Sequence, residues 1–125
     1  MSDPVVTMLK DIVANLSPAD DEWRSMSMVI GFDGDFLNRT FGYTYSPDGV
    51  ATSVSADPFA IAASTEDYLA NTYEPGAPRP VRFLVQLDRV AGQYGVTFED
   101  TDHNRWEVTP ANVKTAPQEL RPTFG

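Results

Sequence analysis

The sequence has no cysteine and a single histidine, His103. Without cysteine there can be no disulfide, thiol nucleophile or iron–sulfur cluster, and the zinc patterns built on Cys and His are also excluded. A Ser-His-Asp triad would need His103 as its base, but this residue lies in the polar stretch FEDTDHNRW, which predicts a turn. We therefore expect a protein that is not an enzyme and that needs no metal and no cofactor.

Long hydrophobic runs and basic patches are also lacking. No run approaches the ~18 apolar residues of a membrane helix, and the start MSDPVV does not resemble a signal peptide. Eighteen acidic residues against nine basic ones give a net charge of −9, which repels nucleic acid and anionic lipid. We expect a cytoplasmic protein that binds neither, and the charge either serves solubility alone or attracts a basic protein partner.

The length of 125 residues allows one domain, which we place at residues 1–125. A first helix is expected where apolar residues recur at three- and four-residue spacing behind Ser2 or Asp3 as the cap and Pro4 at the first helical position. Its apolar stripe would consist of Val5, Val6, Leu9, Ile12, Val13 and Leu16. A middle helical region is expected over residues 57–71, as one helix or as two short ones, and a last helical turn is expected at Thr109-Pro110.

Strands are expected where apolar and polar residues alternate. The segments 25–32 and 39–45 flank the turn Asp33-Gly34-Asp35, residues 50–54 follow as a short third strand, and 81–88 and 94–99 form a second hairpin. Residues 105–108 are expected to add one more short strand. The order predicts an α+β fold: an antiparallel sheet of five to six strands in two hairpin units, with the N-terminal and middle helices on one face. The side chains expected to face the first helix are Ile30, Phe32, Tyr43, Val85, Val96 and Phe98.

Two acidic segments could in principle carry chemistry. The stretch beginning at Asp100 resembles the opening of a calcium loop, but Arg105 replaces the glycine and Ala111 the bidentate glutamate that such a loop needs. Asp33 and Asp35 could form the carboxylate pair of a hydrolase, although solvation in a hairpin turn explains them equally well. We therefore assign neither a metal nor a catalytic residue.

The exposed turn acids are the candidate contacts for a basic partner. We expect the main contact at Glu99, Asp100 and Asp102, with Trp106 as an aromatic anchor beside them. A second candidate group is Asp33 and Asp35. Because the tips of a meander point to opposite ends, the acids of all turns cannot serve one interface. The alternatives are that these acids are only solvated and that Trp106 belongs to the core.

Four segments follow one another in an order that resembles a known family: SPADDEW, FLNRTFGYTY, YGVTFEDTDHNRW and ELRPTF. The chain from about Leu9 to Phe124 is similar to the YezG-type immunity proteins of bacterial polymorphic toxin systems, with Trp23, the FED stretch and the LRP tail as the matching parts. These are small cytosolic α+β proteins that bind a cognate secreted toxin, often a nuclease, and block it. The resemblance implies no catalytic residues, because such proteins are inhibitors.

Charge and resemblance favour the same function. A nuclease is basic in order to hold phosphate, and an acidic inhibitor can occupy that surface. We expect an immunity protein that neutralises a cognate toxin by stoichiometric binding. The alternatives are a general acidic α+β domain that binds proteins as a scaffold, and a hydrolase that uses acidic residues.

Overall fold

The alternating segments form one open antiparallel sheet of six strands. The computed structural model describes residues 3–18, 22–33, 36–74 and 76–122. Its strands are β1 (Leu16–Ser17), β2 (Ser25–Asp33), β3 (Phe36–Tyr45), β4 (Ala51–Ala56), β5 (Arg82–Asp88) and β6 (Gln93–Glu99). They lie in the order β1-β4-β3-β2-β5-β6, so that β2 is central and β6 forms one edge. The expected α+β fold is confirmed.

The two long helices begin at the expected caps. They are α1 (Pro4–Ala14), α2 (Pro58–Thr72) and α3 (Ala116–Leu120). The carboxylate of Asp3 accepts the Val5 N–H at 3.0 Å, and Asp57 accepts the Phe59 N–H at the same distance. The middle region is therefore one continuous helix. In the described part of the chain, no helix has the length and apolar character needed to cross a bilayer.

Both long helices cover the same face of the sheet, as expected. Their apolar residues close over side chains of β2, β5 and β6 that point to this face, and Trp23 is buried among them. Phe83 is fully buried at the centre, with its ring centroid 5.8 Å from that of Phe32 and 6.0 Å from that of Phe98. Leu16, which was expected to continue the stripe of α1, is buried in β1 instead.

The expected orientation of Tyr43 is wrong. A register shift between Gly31 and Phe32 pairs Tyr43 with Ser27, whose side chain points away from the long helices. Tyr43 therefore packs in a second cluster on the opposite face, with Val29, Tyr45, Leu84 and Leu120. The other five side chains of the expected set lie on the helix side.

The C-terminal segment covers this second face. The Tyr45 hydroxyl donates to the carbonyl of Pro117 at 2.6 Å, and the Gln86 amide donates to the carbonyl of Leu120 at 2.9 Å. Residues 105–108 do not form the expected strand, and the last helix starts at Ala116 rather than at Thr109. As a result β2 is buried on both faces, whereas its alternation predicted a half-buried strand.

Candidate interaction surface

The sheet register brings two of the predicted acidic segments to the same end of the molecule. Gly31 of β2 pairs with Arg82 of β5, and Arg82 pairs with Glu99 of β6. Asp33 therefore lies just beyond this row, and the loop that contains His103 follows it. Asp33 and His103 line the same cavity of about 280 Å³. We call this end of the sheet the acidic end: Asp33 together with residues 99–104.

Glu107, which follows the loop of residues 100–106, connects this loop to the sheet through ion pairs with two arginines. Its carboxylate lies 2.7 Å from Nη2 of Arg39 and 2.9 Å from Nη2 of Arg82. Both arginines lie next to Gly31, where a Cβ atom would be within 3.7 Å of each of them, an ordinary van der Waals contact. Nη1 of Arg82 also donates to the carbonyl of Arg105 at 3.0 Å. Burial raises the pKa of Glu107, but the hydrogen bonds and charges of the two arginines outweigh it, so that the pKa is lowered overall.

We predict that Glu107→Gln lowers the free energy of unfolding by about 1–2 kcal/mol at pH 7, because the amide keeps one contact but loses the charge. Since the pKa of Glu107 is lowered in the folded state, its contribution is present above the ordinary value of 4.5 and is lost as the pH falls through the lowered pKa. The difference between wild type and variant in thermal unfolding should therefore shrink below about pH 4.5.

Glu119 gives the matched control for this titration, because it is exposed and forms no ion pair with any described residue. Glu119→Gln should leave the unfolding temperature unchanged at every pH tested. A Glu107→Gln penalty that stays constant from pH 7 to pH 3 would contradict the role of the ion pairs.

Glu99 is engaged within its own turn. Its Oε2 accepts the backbone N–H groups of Thr101 and Asp102, each at 3.2 Å, and its Oε1 lies 3.0 Å from Nη1 of Arg105. The N–H groups of Thr101 and Asp102, followed by Arg105, lower its pKa. Glu99 therefore organises the loop, and its neighbours carry the exposed charge.

The other predicted acids are more accessible. Asp33, Asp100 and Asp102 are exposed, and none of them forms an ion pair within the described residues. One oxygen of Asp102 accepts the Asn104 N–H at 2.9 Å. Asp35 lies outside the described residues.

Trp106 is half-buried and turned towards the second face of the sheet, where it packs against the cluster around Tyr45. Its backbone has a φ of 65°, a left-handed conformation that non-glycine residues adopt rarely. The guanidinium of Arg105 lies 4.4 Å from its ring centroid. Part of the Trp106 side chain is thus already packed within the fold, which leaves less of it to contact a partner.

Two exposed phenylalanines at the acidic end did not figure among the predicted site residues. Phe36 pairs with Asp33 across the β2–β3 turn and is 79% exposed, and Phe59 at the start of α2 is 94% exposed. The Thr40 hydroxyl holds the end of β4 by accepting the Ala56 N–H at 3.0 Å. Since Ala56 ends β4 and α2 begins two residues later, this contact places the start of α2 near the end of the sheet where the β2–β3 turn lies.

The pKa values of the carboxyls bear on the chemistry that this surface could carry out. Among the described residues, the carboxyls with a displaced pKa are Asp88, Glu99 and Glu107, and all three are displaced downwards, which keeps them ionised. A general acid needs the opposite displacement. No group of three or more metal-ligating side chains converges in the described residues. Exposed aromatic rings are a feature of many protein interfaces, in which aromatic residues are enriched.

The fold and this surface define a small α+β protein with an open antiparallel sheet and an acidic, aromatic end. Comparison of the chain with known protein families finds no matching family, and no curated protein matches it either.

Proposed function

We propose that this chain is an immunity protein that binds a cognate secreted toxin domain and neutralises it by stoichiometric binding, without catalysis. It acts in the cytoplasm of the cell that makes it. The observation that carries the proposal is the exposure of Phe36 and Phe59 towards the end of the sheet that bears Asp33. Asp33, Asp100 and Asp102 are also exposed and form no ion pair within the described residues. The resemblance to YezG-type immunity proteins supports the kind of partner.

Each part of this surface has a separate effect on binding. Exposed aromatic rings that become buried in a partner's pocket supply most of the affinity of a typical interface. Unpaired carboxylates attract a basic partner over long distances and so accelerate its encounter. A toxin that acts on nucleic acid presents such a basic surface, because it must hold phosphate.

The proposal predicts that a large secreted protein with a C-terminal toxin domain is encoded beside this chain, and the experiment that tests the function uses that domain. Cells that express this domain should grow only when the chain is co-expressed, and the purified proteins should form a 1:1 complex on size-exclusion chromatography with light scattering. Neither protection nor complex formation would contradict the proposal and favour a scaffold domain.

We predict that the charge acts mainly on the association rate. The triple variant Asp33→Asn, Asp100→Asn and Asp102→Asn should bind the toxin about tenfold more slowly at low salt, with a weaker dependence on ionic strength. The melting temperature should not change, because the amide oxygen at position 102 can still accept the N–H of Asn104. Stopped-flow fluorescence measures the rate.

A matched control neutralises three acids elsewhere: Asp11→Asn, Asp48→Asn and Glu119→Gln. This variant changes the net charge by the same amount but should slow association much less. Its three charges lie away from the acidic end, so salt screens their effect on a toxin that approaches there. Equal slowing by both triple variants would show that the net charge, and not the acidic end, attracts the toxin.

A further inference from the structure

An open apolar groove lies between α1 and the β5–β6 hairpin. It has a volume of about 460 Å³, which is within the range of sites for small molecules. Its walls are the side chains of Val6, Leu9, Val13, Trp23, Leu87 and Tyr94. Leu87 and Tyr94 flank the β5–β6 turn, so the groove lies at the opposite end of the sheet from Asp33. It is separate from the acidic end.

The charges that border this groove are both positive. Lys10 and Arg89 contribute to its lining, and no acidic residue among the described ones does, although the chain has twice as many acids as bases. The guanidinium of Arg89 lies 3.7 Å above the centroid of the Trp23 ring and donates to the Trp23 carbonyl at 2.7 Å. Lys10 is exposed, and its side-chain ammonium group forms no hydrogen bond or ion pair with any described residue.

We propose that this groove binds a small apolar carboxylate, whose hydrocarbon body lies against Val6, Val13 and Leu87 and whose carboxylate meets Lys10. The apolar walls remove the hydrocarbon from water, and the flexible ammonium group reaches the charge at the edge. The same charge disfavours a basic protein at this place. The site is therefore independent of the proposed toxin interface.

Two amphiphiles of opposite charge and similar chain length test this proposal: decanoate and decyltrimethylammonium, each below its critical micelle concentration. Two-dimensional NMR should show saturable shifts in the signals of Val6, Leu9 and Val13 with decanoate. Decanoate should bind at least about fivefold more tightly than the cation, the size expected of one partly exposed charge contact. Equal affinities, shifts scattered over the surface or no saturation would overturn the proposal.

Charge variants locate the contact. Lys10→Glu should reverse the preference so that the cation binds more tightly than decanoate, and Lys10→Gln should abolish the preference. Lys114→Glu makes the same charge change at an exposed lysine outside the groove and should leave the preference intact. An unchanged preference in Lys10→Glu would overturn the proposal. A doubled mass in sedimentation with shifts confined to β6 would identify a second copy as the occupant and overturn it as well.

Discussion

Replacing Phe83 with alanine is expected to lower the free energy of unfolding by about 3–5 kcal/mol. The side chain is fully buried, and the ring of Tyr68 from α2 also contacts it, with the centroids 6.3 Å apart. Removal of the ring leaves a cavity between the sheet and the helices that the backbone cannot close. Urea unfolding followed by circular dichroism measures the change.

The same substitution at Phe36 gives the control, because that ring is largely exposed. Phe36→Ala should change the free energy of unfolding by less than about 0.5 kcal/mol. A loss at Phe83 no larger than the loss at Phe36 would contradict the packing of the long helices on this face.

The double variant Phe36→Ala and Phe59→Ala is expected to weaken toxin binding by about 100-fold or more. Aromatic residues at the centre of an interface contribute about 2 kcal/mol or more each when truncated, although their effects do not add simply. Since both rings are exposed in the free protein, the unfolding temperature should stay the same. Surface plasmon resonance with the immobilised toxin domain measures the affinity.

The control variants are Val50→Ala and Val113→Ala, which shorten two other exposed apolar side chains. Their affinity should stay within about twofold of the wild type. If the phenylalanine variant bound as tightly as the two valine variants, Phe36 and Phe59 could not belong to the toxin interface.

Strands β2 to β6 were predictable from the alternation of apolar residues, whereas the two-residue β1 was missed and the strand expected at 105–108 does not form. The face on which Tyr43 lies was not predictable. The expected arrangement follows from extending the pairing next to the turn, which would place Tyr43 opposite Met26. The irregularity between Gly31 and Phe32 shifts the register by one residue and reverses the face of every later residue in β3. A shift of this kind depends on tertiary packing and leaves no pattern in the sequence.

The close approach of two strands at Gly42 was equally invisible in the sequence. A Cβ atom there would overlap the carbonyl oxygen of Ser27 on the neighbouring strand. In the sequence, Gly42 is only a small residue between the aromatic residues Phe41 and Tyr43, and nothing there indicates the close approach.

The acidic turns of the candidate site were predictable because charged residues without periodicity mark loops. The internal role of Glu99 was not, since it depends on how the backbone turns towards its carboxylate. Phe59 left a signal that could have been used. The buried stripe of α2 is Ile61, Thr65 and Leu69, and Phe59 is two residues out of step with it, which predicts an exposed ring.

The most direct test of the toxin interface is amide hydrogen exchange of this chain with and without the toxin domain. We expect slower exchange in the complex at residues 36–39, 57–60 and 100–104, which surround the exposed rings and the unpaired carboxylates. Residues 88–94, at the opposite end of the sheet, should exchange at the same rate in both states. Protection confined to residues 88–94, or no protection at residues 57–60 and 100–104, would contradict the assignment of the acidic end as the binding surface.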